Sequence, residues 1–204
     1  GRAWLELLCL FGSGAIFAAG FPPLNWSGLG WIGLIPLYAV CKGKRPFRAW
    51  LCGLAWGFGW AFFSFLWIRR IEFFLPLPFG VVLGLFPSFW SAAVPLLRRH
   101  LYVPAEVQLR GWEAEQEFVR KSPARPGKDV FFCLVLAAWW CLIEWVRSWI
   151  FTGLPWNLLA VTQWKVVALL QICEYTGIYG LSFLLAFFNI ALAVSVPEWM
   201  KMYR

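Results

Sequence analysis

Polar punctuation divides the chain into six apolar runs, each close to the length that carries a helix across a lipid bilayer. A hydrocarbon core of about 30 Å takes about 17 to 25 apolar residues per helix. On that ruler the spans fall at residues 3–19, 29–41, 50–68, 78–97, 130–146 and 176–196. The second is short, and with Trp26 and Trp31 at its entrance it crosses by extending into the interface. The expected fold is all-α: an integral membrane bundle of about six transmembrane helices, with one interfacial or re-entrant segment.

Composition supports this. A chain of 204 residues that is 61% hydrophobic and 14% charged carries more apolar surface than one soluble core can hide. Sixteen Trp and twenty Phe, many near the ends of the runs, match the belt where amphipathic rings sit at headgroup depth. The net charge of +8 falls mostly in the gaps between runs rather than on one polar face, so it reads as membrane topology and not as a nucleic-acid surface. The apolar segments are too many and too long for signal peptides, and Gly1 reads as a trimmed start.

Lys and Arg also orient the bundle. With a cytoplasmic N-terminus, fourteen of the eighteen lie inside, including Arg2, Lys42, Lys44, Arg98, Lys128, Lys201 and Arg204, which leaves Arg69, Arg70, Arg147 and Lys165 outside. Both ends are then cytoplasmic. Three regions follow: helices one to four over 1–97, a polar cytoplasmic loop over 98–129, and helices five and six over 130–204. Within the loop, Pro104 opens a surface helix carrying Val107, Trp112 and Phe118 toward the membrane, and the Pro126-Gly127 segment ends it. Gly53 with Gly57, and the row Gly80, Gly84, Ser88, Ala92, set small residues at helical spacing where backbones approach closely in lipid.

Ionisable groups at membrane depth are costly and so mark function. Glu144 and Arg147 stand three apart near the end of the fifth span, within pairing reach. A bend follows, because Gly153 opens backbone angles closed to other residues and Pro155 disfavours a continuous helix. Lined by Thr152, Trp156 and Asn157, this bend is either the floor of a lipid-headgroup site, a platform for another domain, or a plain structural anchor. The stretch 158–173, interrupted by Gln163, Lys165 and Gln171, is the interfacial or re-entrant candidate. Tyr179, Ser182 and Asn189 add polar groups to the sixth span, and Asn189 needs a helix–helix hydrogen bond.

Bond-making constellations are missing from this sequence. Cys9, Cys41, Cys52, Cys133, Cys141 and Cys173 have no metal-ligand spacing and no adjacent base, and read as buried hydrophobes. His100 stands alone as a headgroup-facing loop residue, so neither a catalytic triad nor a zinc site can be assembled, and no cofactor is implied.

The run Glu144-Trp145-Val146-Arg147 through Gly153-Leu154-Pro155-Trp156-Asn157, continuing to Gly177, Tyr179, Gly180 and Asn189, resembles the membrane-domain signature of apolipoprotein N-acyltransferases. Phe21-Pro22-Pro23-Leu24-Asn25-Trp26, Trp31 to Leu37, and Gly53 to Trp60 resemble it as well. The resemblance implies an enzyme that moves a fatty acyl chain from a phospholipid to the N-terminal cysteine amine of a lipoprotein, through an enzyme thioester. It places the Glu, Lys and Cys of catalysis in a nitrilase-like domain after a seventh span, so none of these 204 residues inherits a catalytic role. What carries over is a lipid-binding or domain-bearing platform: Glu144, Arg147, Gly153, Pro155, Trp156, Asn157, Tyr179 and Asn189. The expected partners are the phospholipid donor, the lipoprotein acceptor and the membrane, with no nucleic acid. The rival readings are a small polytopic transporter or channel and a structural membrane subunit.

Overall fold

The computed structural model describes residues 2–123, 125–150 and 153–202, with side chains described between residues 3 and 196 of that set. Thr152 of the expected bend lies outside the described residues, as do the Lys201 side chain and Arg204 of the charge count. Among the described residues every regular element is helical. They are α1 (Arg2–Ala18), α2 (Leu29–Ile32), α3 (Ile35–Cys41), α4 (Pro46–Ser64), α5 (Pro76–Tyr102), α6 (Ala105–Gln108), α7 (Trp112–Lys121), α8 (Pro126–Arg147), α9 (Val167–Leu170) and α10 (Ile172–Met202). Two 3₁₀ segments, Leu66–Arg70 and Leu159–Gln163, join them.

Proline sets several starts. Pro46, Pro76 and Pro126 each occupy the first helical turn, where a missing amide hydrogen costs nothing and the ring fixes a helical φ. Pro87 and Pro95 sit inside α5 without breaking it, and the Ser88 hydroxyl donates to the Gly84 carbonyl in that stretch at 2.7 Å. Three helices are individually long and apolar enough to cross a bilayer: Pro76–Tyr102, Pro126–Arg147 and, within α10, Ile172–Val196. Ala3–Ala18 and Leu29–Cys41 are shorter apolar helical stretches. Outward-facing Leu8, Ile16, Phe89, Leu96 and Phe131 are all more than half exposed, a surface that lipid solvates and water does not.

The helices α1, α4, α5, α8 and α10 pack as successive neighbours, and α3 lies against α4, α5 and α10. Small residues make the first two seams. A Cβ added to Gly53 would stand 2.6 Å from the Ser88 Cα, and one on Gly57 would stand 2.8 Å from the Gly84 Cα, so α4 and α5 meet main chain to main chain. On the other face of α4, a Cβ at Gly14 would collide with the Trp56 carbonyl and one at Gly59 with the Phe11 carbonyl. The bundle centre is aromatic: Trp140 sits edge-on to both Trp56 and Trp90, and the Trp90 indole donates to the Leu136 carbonyl at 3.0 Å.

α1 and α4 run side by side in the same direction, since Glu6 lies beside Lys44 and Phe21 beside Trp60, and the connections of the bundle sort to two ends. At one end Lys44 pairs with Glu6, Arg98 donates to the Lys42 carbonyl, Lys128 to the Leu101 carbonyl, and Tyr102 to Asp129. The other end is aromatic: Trp156 stacks on Phe65 and also meets Trp67, while the Trp164 indole donates to Asn25.

Several expected boundaries move. The second run is two helices, broken at Gly33 and Leu34. The third ends at Ser64 and continues as a 3₁₀ turn over Leu66–Arg70 rather than as α-helix to Ile68. The polar loop holds two short helices instead of one, because Gly111 at φ 95° interrupts them. Pro126-Gly127 opens α8 rather than closing the loop helix, which stops at Ser122 where the chain becomes extended. His100 belongs to the last turns of α5, not to the loop. The sixth run starts earlier, at Ile172, and kinks at Gly177 (φ 65°, ψ −177°), a conformation that favours glycine.

Candidate functional site

The end of α8 carries the buried charges. Glu144 and Arg147 are each 3% exposed, yet they do not close the salt bridge that their spacing invites. Both are drawn across the bundle instead. One Glu144 oxygen, Oε1, accepts the Leu159 amide at 2.6 Å and the Trp140 indole at 3.0 Å. The Arg147 guanidinium donates to the Asn157 carbonyl at 3.5 Å and lies 5.3 Å from the Trp60 ring centroid, a cation–π position.

This arrangement explains how an irregular segment lies inside the bundle. Leu158, Leu159, Ala160, Thr162 and Gln163 are all buried. Backbone that is neither α-helix nor barrel is tolerated at membrane depth only where protein satisfies its polar groups. Glu144 takes the Leu159 amide, the Ser182 hydroxyl of α10 takes the Ala160 amide at 3.1 Å, and the Gln163 side chain donates to the Ser27 carbonyl at 2.7 Å. The expected interfacial or re-entrant stretch is therefore an inward-folded 3₁₀ turn followed by the short α9.

The bend is built from glycine geometry. Gly153 has φ 82°, and a Cβ there would collide with the Ser148 carbonyl. The Leu154 amide donates back to the Arg147 carbonyl at 2.9 Å, which folds the chain onto the helix end. Pro155 and Trp156 are exposed beyond it, and Asn157 adopts φ 52°, a left-handed conformation that asparagine tolerates better than most residues. Tyr179 joins this group, since its hydroxyl donates to the Ser148 hydroxyl at 2.8 Å and Ser148 in turn donates to the Glu144 carbonyl.

Seven of the eight expected site residues thus converge on the end of α8. Asn189 does not. It is fully buried further along α10, where its Oδ1 accepts the Leu34 amide at 2.9 Å and its Nδ2 donates to the carbonyls of Gly30 and Leu185. It spans the break between α2 and α3, which is the helix–helix bond its burial requires.

Sequence reasoning missed Trp56, Trp60 and Trp140, which with Glu144, Arg147 and Asn157 line a small cavity of about 20 Å³. The available signal was the Gly53 to Trp60 stretch, whose two tryptophans lie four apart on one helix face. Gly30 was missed too: a Cβ there would strike Thr162 and Gln163, so its bareness lets the inward turn pack against α2.

No group of three or more His, Cys, Asp or Glu among the described residues is placed to hold a metal ion; Cys41, Cys52 and Cys133 are the buried thiols expected, whereas Cys141 and Cys173 are half-buried and Cys9 is exposed on the outer face of α1.

Residues 13–191 match the family model described as the apolipoprotein N-acyltransferase N-terminal domain. An apolipoprotein N-acyltransferase of Geobacter metallireducens is 30% identical over 181 residues, covering 88% of this chain and 31% of the relative. One of Chromobacterium violaceum is 31% identical over 202 residues, covering 98% of this chain and 36% of the relative. One of Rickettsia prowazekii is 46% identical over 61 residues, covering 30% of this chain and 12% of the relative. The chain spans about a third of the length of the first two relatives. With most of its residues inside one family model and two such relatives aligned along its length, the chain belongs to the apolipoprotein N-acyltransferase N-terminal domain family.

Proposed function

We propose that this chain is the membrane portion of an acyltransferase that moves a fatty acyl group from a phospholipid to the N-terminal cysteine amine of a lipoprotein. In the net reaction the phospholipid ester is cleaved, an amide forms, and the amine gives up a proton. The chain's share is to hold the lipid donor and to support the bond-making residues, which lie outside its 204 positions. The observation that carries this reading is the α8 end: a glycine-built bend held by two buried charges, with exposed Trp156 stacked over the buried Phe65 and beside the exposed Trp67. The Lys- and Arg-rich end, with Lys42, Lys44, Arg98 and Lys128, faces the cytoplasm in this reading, and the bend faces the opposite side of a bacterial inner membrane.

The test is an acyl-transfer assay using phospholipid with a labelled acyl chain and a lipid-modified cysteine peptide, run with this chain alone and with a full-length relative. The relative turns over and the chain alone does not; turnover by the chain alone overturns the division of labour. A photoactivatable phospholipid should in addition label the chain near Trp156, and equal labelling after Trp156→Ala counts against donor binding at the bend.

A further inference from the structure

Four buried polar atoms without a protein partner belong to side chains that line the same cavity: Trp56 Nε1, Trp60 Nε1, Arg147 Nη1 and Glu144 Oε2. Their residues are between 0% and 5% exposed. Buried polar atoms are seldom left unpaired, because each has lost its hydrogen bonds to water, so four around one space describe a site for something that pairs them.

The donor and acceptor inventory names the class of occupant. Three of the atoms are N–H donors and the fourth is a carboxylate oxygen, which accepts. A phosphate or other anion would pair with the donors but meet the Glu144 carboxylate. An ester carbonyl accepts but has no hydrogen to give Glu144. An ammonium donates to Glu144 but cannot accept from Arg147 or the indoles. A water molecule does both, and the tight aromatic walls of Trp56, Trp60 and Trp140 leave room for a small occupant.

We propose that this cavity is an internal hydration site, in which one water molecule donates to Glu144 Oε2 and accepts from Arg147 Nη1 and the Trp56 indole. The water completes the ion pair that the protein leaves open. Glu144 Oε1 is committed to Leu159 and Trp140, and Arg147 to Asn157 and the Trp60 face, so the remaining oxygen and nitrogen are joined through solvent instead of by contact. The bend and the inward 3₁₀ turn are thereby tied to one shared water. This assignment is independent of the acyl-transfer reading.

X-ray radiolytic hydroxyl labelling of the full chain in lipid nanodiscs tests it, because radicals formed from a bound water oxidise the side chains beside it even where bulk solvent is excluded. Trp56 and Trp90 are both 0% exposed, but the Trp90 indole is satisfied by the Leu136 carbonyl and Trp90 does not line the cavity. Trp56 should be oxidised about fivefold faster than Trp90 if internal water lies against it. Equal rates overturn the proposal. A high-resolution structure in lipid gives the second reading: discrete density bridging Glu144 and Arg147 supports it, while an elongated chain of density or direct closure of the pair overturns it.

Discussion

Replacing Asn189 by leucine keeps the branched heavy-atom skeleton of a fully buried side chain and removes three hydrogen bonds, those to the Leu34 amide, the Gly30 carbonyl and the Leu185 carbonyl. The three losses are unequal. The Leu185 carbonyl keeps the ordinary helical bond from the residue 189 amide, so its loss is small. The Leu34 amide and the Gly30 carbonyl lie at the break between α2 and α3, and both residues are buried. An unpaired buried amide costs about 1–3 kcal/mol, and interhelical polar contacts in lipid average about 0.6 kcal/mol, so Asn189→Leu should cost about 2–4 kcal/mol. That is a change of roughly 30- to 1000-fold in the unfolding equilibrium, using 1.4 kcal/mol per tenfold. Steric trapping or reversible unfolding in mixed micelles measures it, with Phe188→Leu as the control because Phe188 is 43% exposed. A loss below about 0.6 kcal/mol would refute the reasoning, because Asn189 would then be worth no more than one average polar contact in lipid.

Gly153→Ala forces a side chain into φ 82° and against the Ser148 carbonyl, so it should cost at least about 1–2 kcal/mol and lower the thermal midpoint measured in detergent. Glu144→Leu leaves the Leu159 amide and the Trp140 indole without their acceptor and removes the carboxylate charge near Arg147, at about 3–5 kcal/mol; adding Arg147→Met should recover part of that loss, and an additive double-mutant cycle would show that the two do not interact. Gly57→Leu separates α4 from α5, so an engineered disulfide across that seam should form more slowly than in the parent. In the exposed helix α7, the hydrogen bond from Lys121 and then its charge hold the Glu117 carboxyl below the usual glutamate range. A depressed folded value stabilises above the ordinary carboxylate pKa and is lost as pH falls through the depressed one. Lys121→Ala should therefore raise the Glu117 midpoint seen by NMR titration, and an unmoved midpoint would count against the pair.

The sequence discloses most of the helices because lipid imposes a length and a polarity on each, and neither depends on knowing the neighbours. Gly53, Gly57, Gly84 and Ser88 likewise announce a close seam from spacing alone, since only small side chains allow the backbones to meet. The bend is legible from Gly153 and Pro155 for the same local reason. What stays hidden is set by partners far along the chain. Glu144 and Arg147 have pairing distance by helical spacing, but Leu159 and Asn157 claim them through a fold that no local window contains. The break at Leu34 is bridged by Asn189, 155 positions away, so an apolar run there reads as one helix. The Trp56 and Trp60 indoles look like two more aromatic belt residues until the cavity places them beside Arg147.

The seams on both sides of α4 carry a consequence for how this protein can change. Where side chain meets side chain, an enlargement on one helix can be matched by a reduction on the other. At Gly53 and Gly57 the opposing atoms are the Cα atoms of Ser88 and Gly84, and at Gly14 and Gly59 they are the carbonyls of Trp56 and Phe11. A main chain has nothing to trim. Paired substitutions across α1, α4 and α5 are closed off at these points, and drift over generations must run along the lipid-facing sides of those helices instead.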